Sequence, residues 1–443
     1  MRSLLAAFPL AAAFAAPTVS GHTGPFDPAF GEGGVAAYAF QPVAGSNADS
    51  ASVGCPGPNG SFVISGRASS GQRIVTVRLR ADGSYDTDFS GDGKESFDFA
   101  ADNGSYVPSV CQPNSDLVMT HIVTGAGGEQ NLRLVRVKRD TGLPDPAFGG
   151  GVVDLDLDLY ITGLGEAEVP LGLNLLGNGD LVISGYASLA GGAGITGFVA
   201  LLDAAGAVRA AQLVQCWQVG TTLENPHGSL WTFGSSGSGA CRVELERDTL
   251  VPGMRVTHDL GVAVRPGAAR ALRGDAVAMA ATAQNADSSL RPLLMVFRDD
   301  EVTPLALPSP ALDGTALGMS IATGVHGVQV LPGGRVLYAG TTRDLASGVD
   351  NGLYFAMMRI GRAAGDDQLE AAFGNAGMRV GRFQPDTPAC NEAAPRQLVH
   401  RVTAWLGRPA FVGKVNADCL DGSGENYLVG RVETNYLFAD GMD

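Results

Sequence analysis

The sequence predicts an all-β fold: a β-propeller of seven four-stranded blades, closed by an N-terminal strand that completes the last blade. Three observations predict it. A motif returns at a fixed period, short apolar-alternating segments are bounded by Asn- and Gly-containing turns, and the two ends of the chain are incomplete in complementary ways.

The motif is first met in Phe26-Asp27-Pro28-Ala29-Phe30-Gly31-Glu32-Gly33-Gly34. Its frame is Asp, two residues, Phe, Gly or Ser, then Gly four residues after the Phe. Asp27, Phe30, Gly31 and Gly34 fill it first, then Asp86, Phe89, Ser90 and Gly93. In the third copy Asp145, Phe148 and Gly149 fit, but the later glycine falls one place early, at Gly151. In the fourth, Glu370 replaces Asp ahead of Phe373, Gly374 and Gly377. The phenylalanines are 59, 59 and 225 residues apart. The last gap is close to four further units of about 56 residues, a period that marks propellers, solenoids or arrays.

Before the first motif, Met1-Arg2-Ser3 and the apolar run Leu4 to Ala16 have the form of a secretory signal, with cleavage after Ala15 at the small-x-small tripeptide Ala13-Phe14-Ala15. The expected organisation is a signal peptide over 1–15, one propeller domain over 16–434 and an acidic tail over 435–443. No later stretch approaches the length of a membrane helix, so an integral membrane segment is not expected. With 62 Gly, 24 Pro, 17% charged residues and a formal charge of −15, the chain reads as an exported β protein. Nucleic acid is excluded as a partner, because no Lys/Arg cluster offsets the acidic surface. The expected state is a monomer, secreted or periplasmic, with association with the cell surface allowed.

Six cysteines in such a chain point to disulfides. Proximity favours Cys216 with Cys241 and Cys390 with Cys419, each closing a loop within one unit. That leaves Cys55 with Cys111, which hold matching places before the turns Pro58-Asn59 and Pro113-Asn114 and would tie successive units together. Buried free thiols are the alternative.

The strand-like segment Gly34 to Phe40 stands alone before the first full unit. That unit runs through Asn59-Gly60, Ser61 to Arg67, Arg73 to Arg80, Asp82-Gly83, the second motif and Lys94 to Phe99. In its Arg73 to Arg80 strand one face is apolar and the other mostly polar, the hairpin signature. The second unit has Asp116 to Val123, Leu132 to Lys138 and Val152 to Leu159. The third has Asp180 to Ala187, Ile195 to Leu202 and Ala207 to Val214. The fourth (Leu230 to Gly234, Cys241 to Glu246) and the fifth (Ala276 to Thr282, Pro292 to Arg298) lack the motif. The sixth has Val328 to Leu331, Arg335 to Gly340, Leu353 to Ile360 and the fourth motif. The seventh has Gln397 to Ala404, Ala410 to Val415 and Tyr427 to Val432, with no fourth strand after it. A spare strand at one end and a missing strand at the other favour a ring over a solenoid, since closure removes exposed edges.

The motif, followed by a strand and by Pro-Asn or Gly-Gly turns between strands, resembles the bacterial delta-60 repeat family, a propeller-like repeat of uncharacterised function. The resemblance covers units one to three and six; it implies fold and carries over no catalytic residue. The ending Leu437-Phe438-Ala439-Asp440-Gly441-Met442-Asp443 is similar to a short sorting tail on some exported proteobacterial proteins, with Met442 and Asp443 departing from it.

As chemistry the motif has two readings, a ligand loop or a structural turn with Phe anchored between blades, and its repetition favours the second. Asp82, Asp86, Asp88 and Asp92 share one loop, and Asp154, Asp156 and Asp158 alternate with leucines. Calcium is the cofactor such carboxylates would suit, with Asp86, Asp88 and Asp92 as candidate ligands, although solvated carboxylates explain both groups as well. Otherwise no cofactor is expected. His22, His121, His227, His258, His326 and His400 stand singly, without zinc-ligand spacing. No nucleophile elbow or phosphate loop is present, and Gly234 to Gly239 reads as a connection between strands. No catalytic residue is assigned. The expectation is a non-catalytic propeller that binds a surface glycan or protein, with an extracellular polymer hydrolase or lyase, its site at the channel mouth, as the alternative.

Overall fold

The computed structural model describes residues 26–31, 33–38, 47–68, 73–100, 107–125, 127–225, 227–272, 276–284, 290–298, 301–306, 319–321, 327–344, 349–373, 377–381, 396–416 and 424–433. The proposed signal peptide, Phe40, Gly374, Cys390, Cys419 and the tail lie outside these residues.

The described chain is built of strands with short 3-10 turns. Near its start are β1 (Val35–Tyr38) and β2 (Asn47–Ala48). Antiparallel meanders follow. The first comprises β3 (Ser50–Pro56), β4 (Phe62–Ala68), β5 (Arg73–Leu79) and β6 (Lys94–Asp98). Next come β7 (Ser109–Cys111), β8 (Leu117–Thr124), β9 (Gln130–Val137) and β10 (Val152–Leu155), joined by a single parallel bridge, Ala167 to Gln130, to β11 (Leu164–Leu175), β12 (Leu181–Leu189), β13 (Ile195–Leu202) and β14 (Val208–Val214). The next two units, which the motif also skips, form full four-stranded sheets. One is β15 (Val219–Glu224), β16 (Leu230–Ser235), β17 (Gly239–Leu245) and β18 (Pro252–Asp259); the other is β19 (Ala263–Ala271), β20 (Ala276–Gln284), β21 (Leu290–Arg298) and β22 (Glu301–Ala306). The sheet that follows holds β23 (Met319–Ile321), β24 (Gly327–Leu331), β25 (Arg335–Asp344), β26 (Asp350–Arg359), β27 (Gln368–Leu369) and β28 (Met378–Gly381). Finally β29 (Gln397–Trp405), β30 (Arg408–Asn416) and β31 (Gly424–Arg431) are joined by β1, which pairs antiparallel with β31, Val35 opposite Gly430.

The hairpins follow from their turns. Between β3 and β4, Asn59 and Gly60 take positive φ, which Asn and Gly adopt with least penalty.

Packing between successive sheets makes the fold a β-propeller. Val53, Val63 and Ile74 meet Met119 and Val135; Val118 and Leu134 meet Ile183 and Phe198; Val182 and Val199 meet Leu230 and Val243; Phe233 meets Met279 and Phe297; Ala278 and Leu294 meet Tyr338 and Tyr354; Leu337 and Phe355 meet Phe411 and Leu428. Phe62, Ile64 and Val77 of the first meander then meet Trp405, Val412 and Tyr427 of the last sheet. Each such side chain contributes about 1.5–3 kcal/mol when fully buried.

Two expectations are corrected here. The β5 strand is buried on both faces, with Ile74 toward the β7–β10 sheet and Val75, Val77 and Leu79 toward the last one, because a sheet lies against each side. Even Thr76 is fully buried, bonded to Ser65 Oγ at 3.1 Å. The strand expected over Val152 to Leu159 stops at Leu155. There Asp156 caps the amide of Asp158 at 3.0 Å and turns Leu157–Leu159 into a 3-10 helix.

Two disulfides are formed: Cys55–Cys111 joins β3 to β7 of the neighbouring sheet, and Cys216–Cys241 ties the bend before β15 to β17. They fit an oxidising, extracellular or periplasmic compartment. No helix among the described residues is long and apolar enough to cross a membrane.

Candidate functional site

The repeat motif sits where the third strand of a meander ends, and an arginine from that strand completes it. Arg78 of β5 donates from Nε to Asp86 Oδ2 at 2.7 Å, with its guanidinium 5.0 Å from the centre of the Phe89 ring. Arg136 of β9 does the same for Asp145 and Phe148, at 2.8 and 5.0 Å. Arg431 of β31 does so for Asp27 and Phe30, at 2.6 and 5.5 Å, although nearly the whole chain separates them. In the fourth copy Glu370 receives Arg359 at 3.0 Å and Arg335 at 3.3 Å, and Arg379 lies 5.7 Å from the Phe373 ring.

Burial disfavours ionisation of Asp27, but the Ala29 amide together with Arg408 and Arg431 holds its carboxyl below the usual range. The motif phenylalanines are buried against the next sheet, whose turn must lack a side chain there. A Cβ on Gly83 would lie 2.9 Å from the Phe30 ring, and one on Gly142 2.7 Å from Phe89. Gly31 N–H donates to Asp82 O of that turn at 2.8 Å, and Gly149 N–H to Ala205 O at 3.0 Å. Gly34, Gly93 and Gly377 take positive φ in the same corners.

The arginines escaped the sequence reading, although one stands eight residues before Asp86 and another nine before Asp145.

Of the calcium candidates, Asp86 is engaged by Arg78, Asp92 accepts the Lys94 amide at 2.9 Å, and Asp88 is exposed. Among the described residues no group of three or more His, Cys, Asp and Glu side chains is placed to hold a metal ion.

The opposite end of the sheets, where β9 begins, carries an open cleft of about 390 Å³. Its floor is the β8–β9 hairpin end, with Thr124, Asn131 and Arg133; its walls include Ala100, Asp156 and Tyr160. Arg133 grips both oxygens of Asp154, at 2.5 and 2.8 Å, and donates to Ala100 O at 2.8 Å. That fork fixes one wall to the floor. The 3-10 turn leaves Leu159 76% and Tyr160 50% exposed at the rim.

Two buried groups border this end. Glu168 of β11 is 1% exposed; its Oε1 accepts the Leu157 amide at 3.1 Å, while Oε2 is buried without a partner. Burial, with Asp156 and Asp158 adding to it and the Leu157 bond opposing, pushes its carboxyl up to about 8. His121 of β8 stands directly across from Arg133 of β9 in the antiparallel register, so both lie on one face. Its ring lies 4.8 Å from that of Phe99, and burial together with the charges of Arg67 and Arg133 pushes it down to about 3, leaving it neutral. His400, in a bulge of β29, is also neutral, pushed down to about 4 by burial; its Nδ1 is 2.9 Å from Ala51 O and 3.2 Å from Ser50 Oγ.

No family model matches the chain, and comparison with curated proteins returns no relative. Among solved structures it is similar to an ulvan lyase of a polysaccharide lyase family (9% identity, TM-score 0.43, covering 88% of this chain and 94% of that one). It is also similar to the Dos1 propeller (11%, 0.41, 88% and 94%) and to a Hadza microbial sialidase (11%, 0.42, 85% and 74%).

Proposed function

We propose that this is an exported, non-catalytic propeller that binds a surface glycan or protein at the cleft end. In this reading seven four-stranded blades of the delta-60 repeat type form a ring that β1 closes. The β1–β31 pairing, the Arg431–Asp27 contact and the packing of the first meander on the last sheet support the ring; the four motif copies support the repeat type.

The observation that carries the binding reading is the cleft itself. Its Asp154 is spent on Arg133 and its Asp156 on a helix cap, whereas Tyr160 is left half exposed beside Asn131 and Thr124. An exposed aromatic ring beside amide and hydroxyl groups suits the apolar face and hydroxyls of a sugar. The test is a glycan and protein binding screen on the purified chain with Tyr160→Ala as control. A hit that weakens about tenfold in the variant is expected, and a hit indifferent to Tyr160 places binding elsewhere.

A second reading, a hydrolase or lyase, is favoured by one group only, Glu168, whose proton is retained at neutral pH as a general acid requires. A hydrolase panel in which wild type turns over a polymer and Glu168→Gln does not would replace the binding reading with this one.

A further inference from the structure

All units but one carry a small residue six places after the first turn of the meander. It is Gly66, Gly185, Gly234, Gly340 and Gly413 in five units and Ala280 in a sixth; in the remaining unit it is His121. The glycines have a steric cause. A Cβ on Gly66 would come within 2.1 Å of Ser50 O, one on Gly185 within 2.0 Å of Val169 O, and one on Gly413 within 1.8 Å of Leu398 O, where a β-bulge pushes the first strand's carbonyl forward. In the β7–β10 sheet the first strand is the short Ser109–Cys111, paired to β8 without a bulge, and Thr120 N–H bonds Pro108 O. The slot there is open to a side chain, and it holds an imidazole.

That imidazole is 2% exposed, and neither ring nitrogen has a hydrogen-bond partner among the described residues. A neutral imidazole has one donor and one acceptor, and leaving each unmade in the interior is destabilising. Phenylalanine would fill the same slot without that penalty. Two buried, unmet groups at the one position where the repeat departs from its pattern indicate a partner outside the fold. The route to the cleft is short: Phe99, packed on the His121 ring, precedes Ala100 of the cleft wall, and Arg133 of the cleft floor is the cross-strand neighbour of His121.

Building on the cleft as a glycan site, we propose that His121 is a ligand-binding residue behind Phe99, and that beside Arg67 and Arg133 it receives the carboxylate of an acidic saccharide. One ring nitrogen donates to a carboxylate oxygen and the other accepts from a sugar hydroxyl. Arg133 is already paired with Asp154, so the imidazole itself is the donor that the anion gains.

The test is calorimetric titration with a galacturonate oligomer and with a neutral galactose oligomer of equal length, on wild type, His121→Phe and His121→Gln, with Tm measured for each. Expected are tighter binding of the acidic oligomer by wild type, a Tm for His121→Phe equal to or above wild type, and loss of about tenfold or more in its affinity for the acidic oligomer alone. His121→Gln, which keeps a donor and an acceptor, retains part of the preference. A lower Tm with unchanged binding in both variants makes His121 a packing residue and overturns the proposal. Binding of both oligomers without preference overturns it while leaving the cleft as a sugar site; binding of neither overturns both.

Discussion

Two joints between neighbouring sheets solve one packing problem in opposite ways. Where the β3–β6 sheet meets β7–β10, Phe89 projects from the motif and the facing turn supplies Gly142. Where β11–β14 meets β15–β18, the first sheet has no motif phenylalanine. The facing turn there repeats the hydrogen bonds of the other one: Glu246 N–H to Val251 O and Leu250 N–H to Glu246 O, matching Lys138 N–H to Leu143 O and Gly142 N–H to Lys138 O. Leu250 stands in the place of Gly142, keeps positive φ at 57°, and is fully buried among Val199, Leu230 and Cys216. One joint is filled from the first sheet, the other from the second. The volume is filled at both joints, and the motif is one way of filling it.

The largest effect is expected from Phe89→Ala, about 3–5 kcal/mol in urea unfolding, since the ring is the whole plug; a loss below 1 kcal/mol would make the plug dispensable. Asp27→Ala should come close, at about 3–5 kcal/mol, because it strands Arg431 in the interior. If Asp27→Ala leaves urea unfolding unchanged, the clamp between early and late segments is not a stabilising one. Leu250→Gly should cost less, about 2–4 kcal/mol, because loss of the leucine is partly offset by relief of its left-handed backbone; a gain in stability would refute Leu250 as the replacement plug.

The smallest effect concerns Glu168, in the sheet without a motif. An acid whose pKa is raised on folding binds its proton more tightly in the folded state, so its contribution is present in acid and lost as pH rises from the ordinary carboxylate range through about 8. Wild type should therefore lose Tm between pH 5 and pH 9 by more than Glu168→Gln does, and equal losses would dismiss a neutral buried Glu168.

Much of the fold was legible because strand patterning and turn residues are local. Asn59-Gly60 and Asn178-Gly179 mark hairpins, and the motif marks corners. What stayed hidden is nonlocal. Arg431 answers Asp27, and Leu250 answers a phenylalanine missing from another sheet, so neither can be read from its own segment. The Val152 to Leu159 run misled because leucine alternation is shared by a strand and by a turn whose caps are aspartates. The cleft combines Ala100 and Tyr160 from two connections with Arg133 of β9, and only His121 beside it left a sequence signal, as an exception to a glycine that recurs six residues after a turn.

The pairing of β1 with β31 has a consequence for how the molecule is made. During synthesis the early strand must wait, unpaired, while all the intervening meanders emerge, because its partner follows them in the chain. Intervening meanders can form in passing, each from neighbouring residues, but this seam carries the greatest loop-closure cost and so the slowest step. Until that pairing forms, β1 and β31 each present an unpaired strand edge that another copy could occupy.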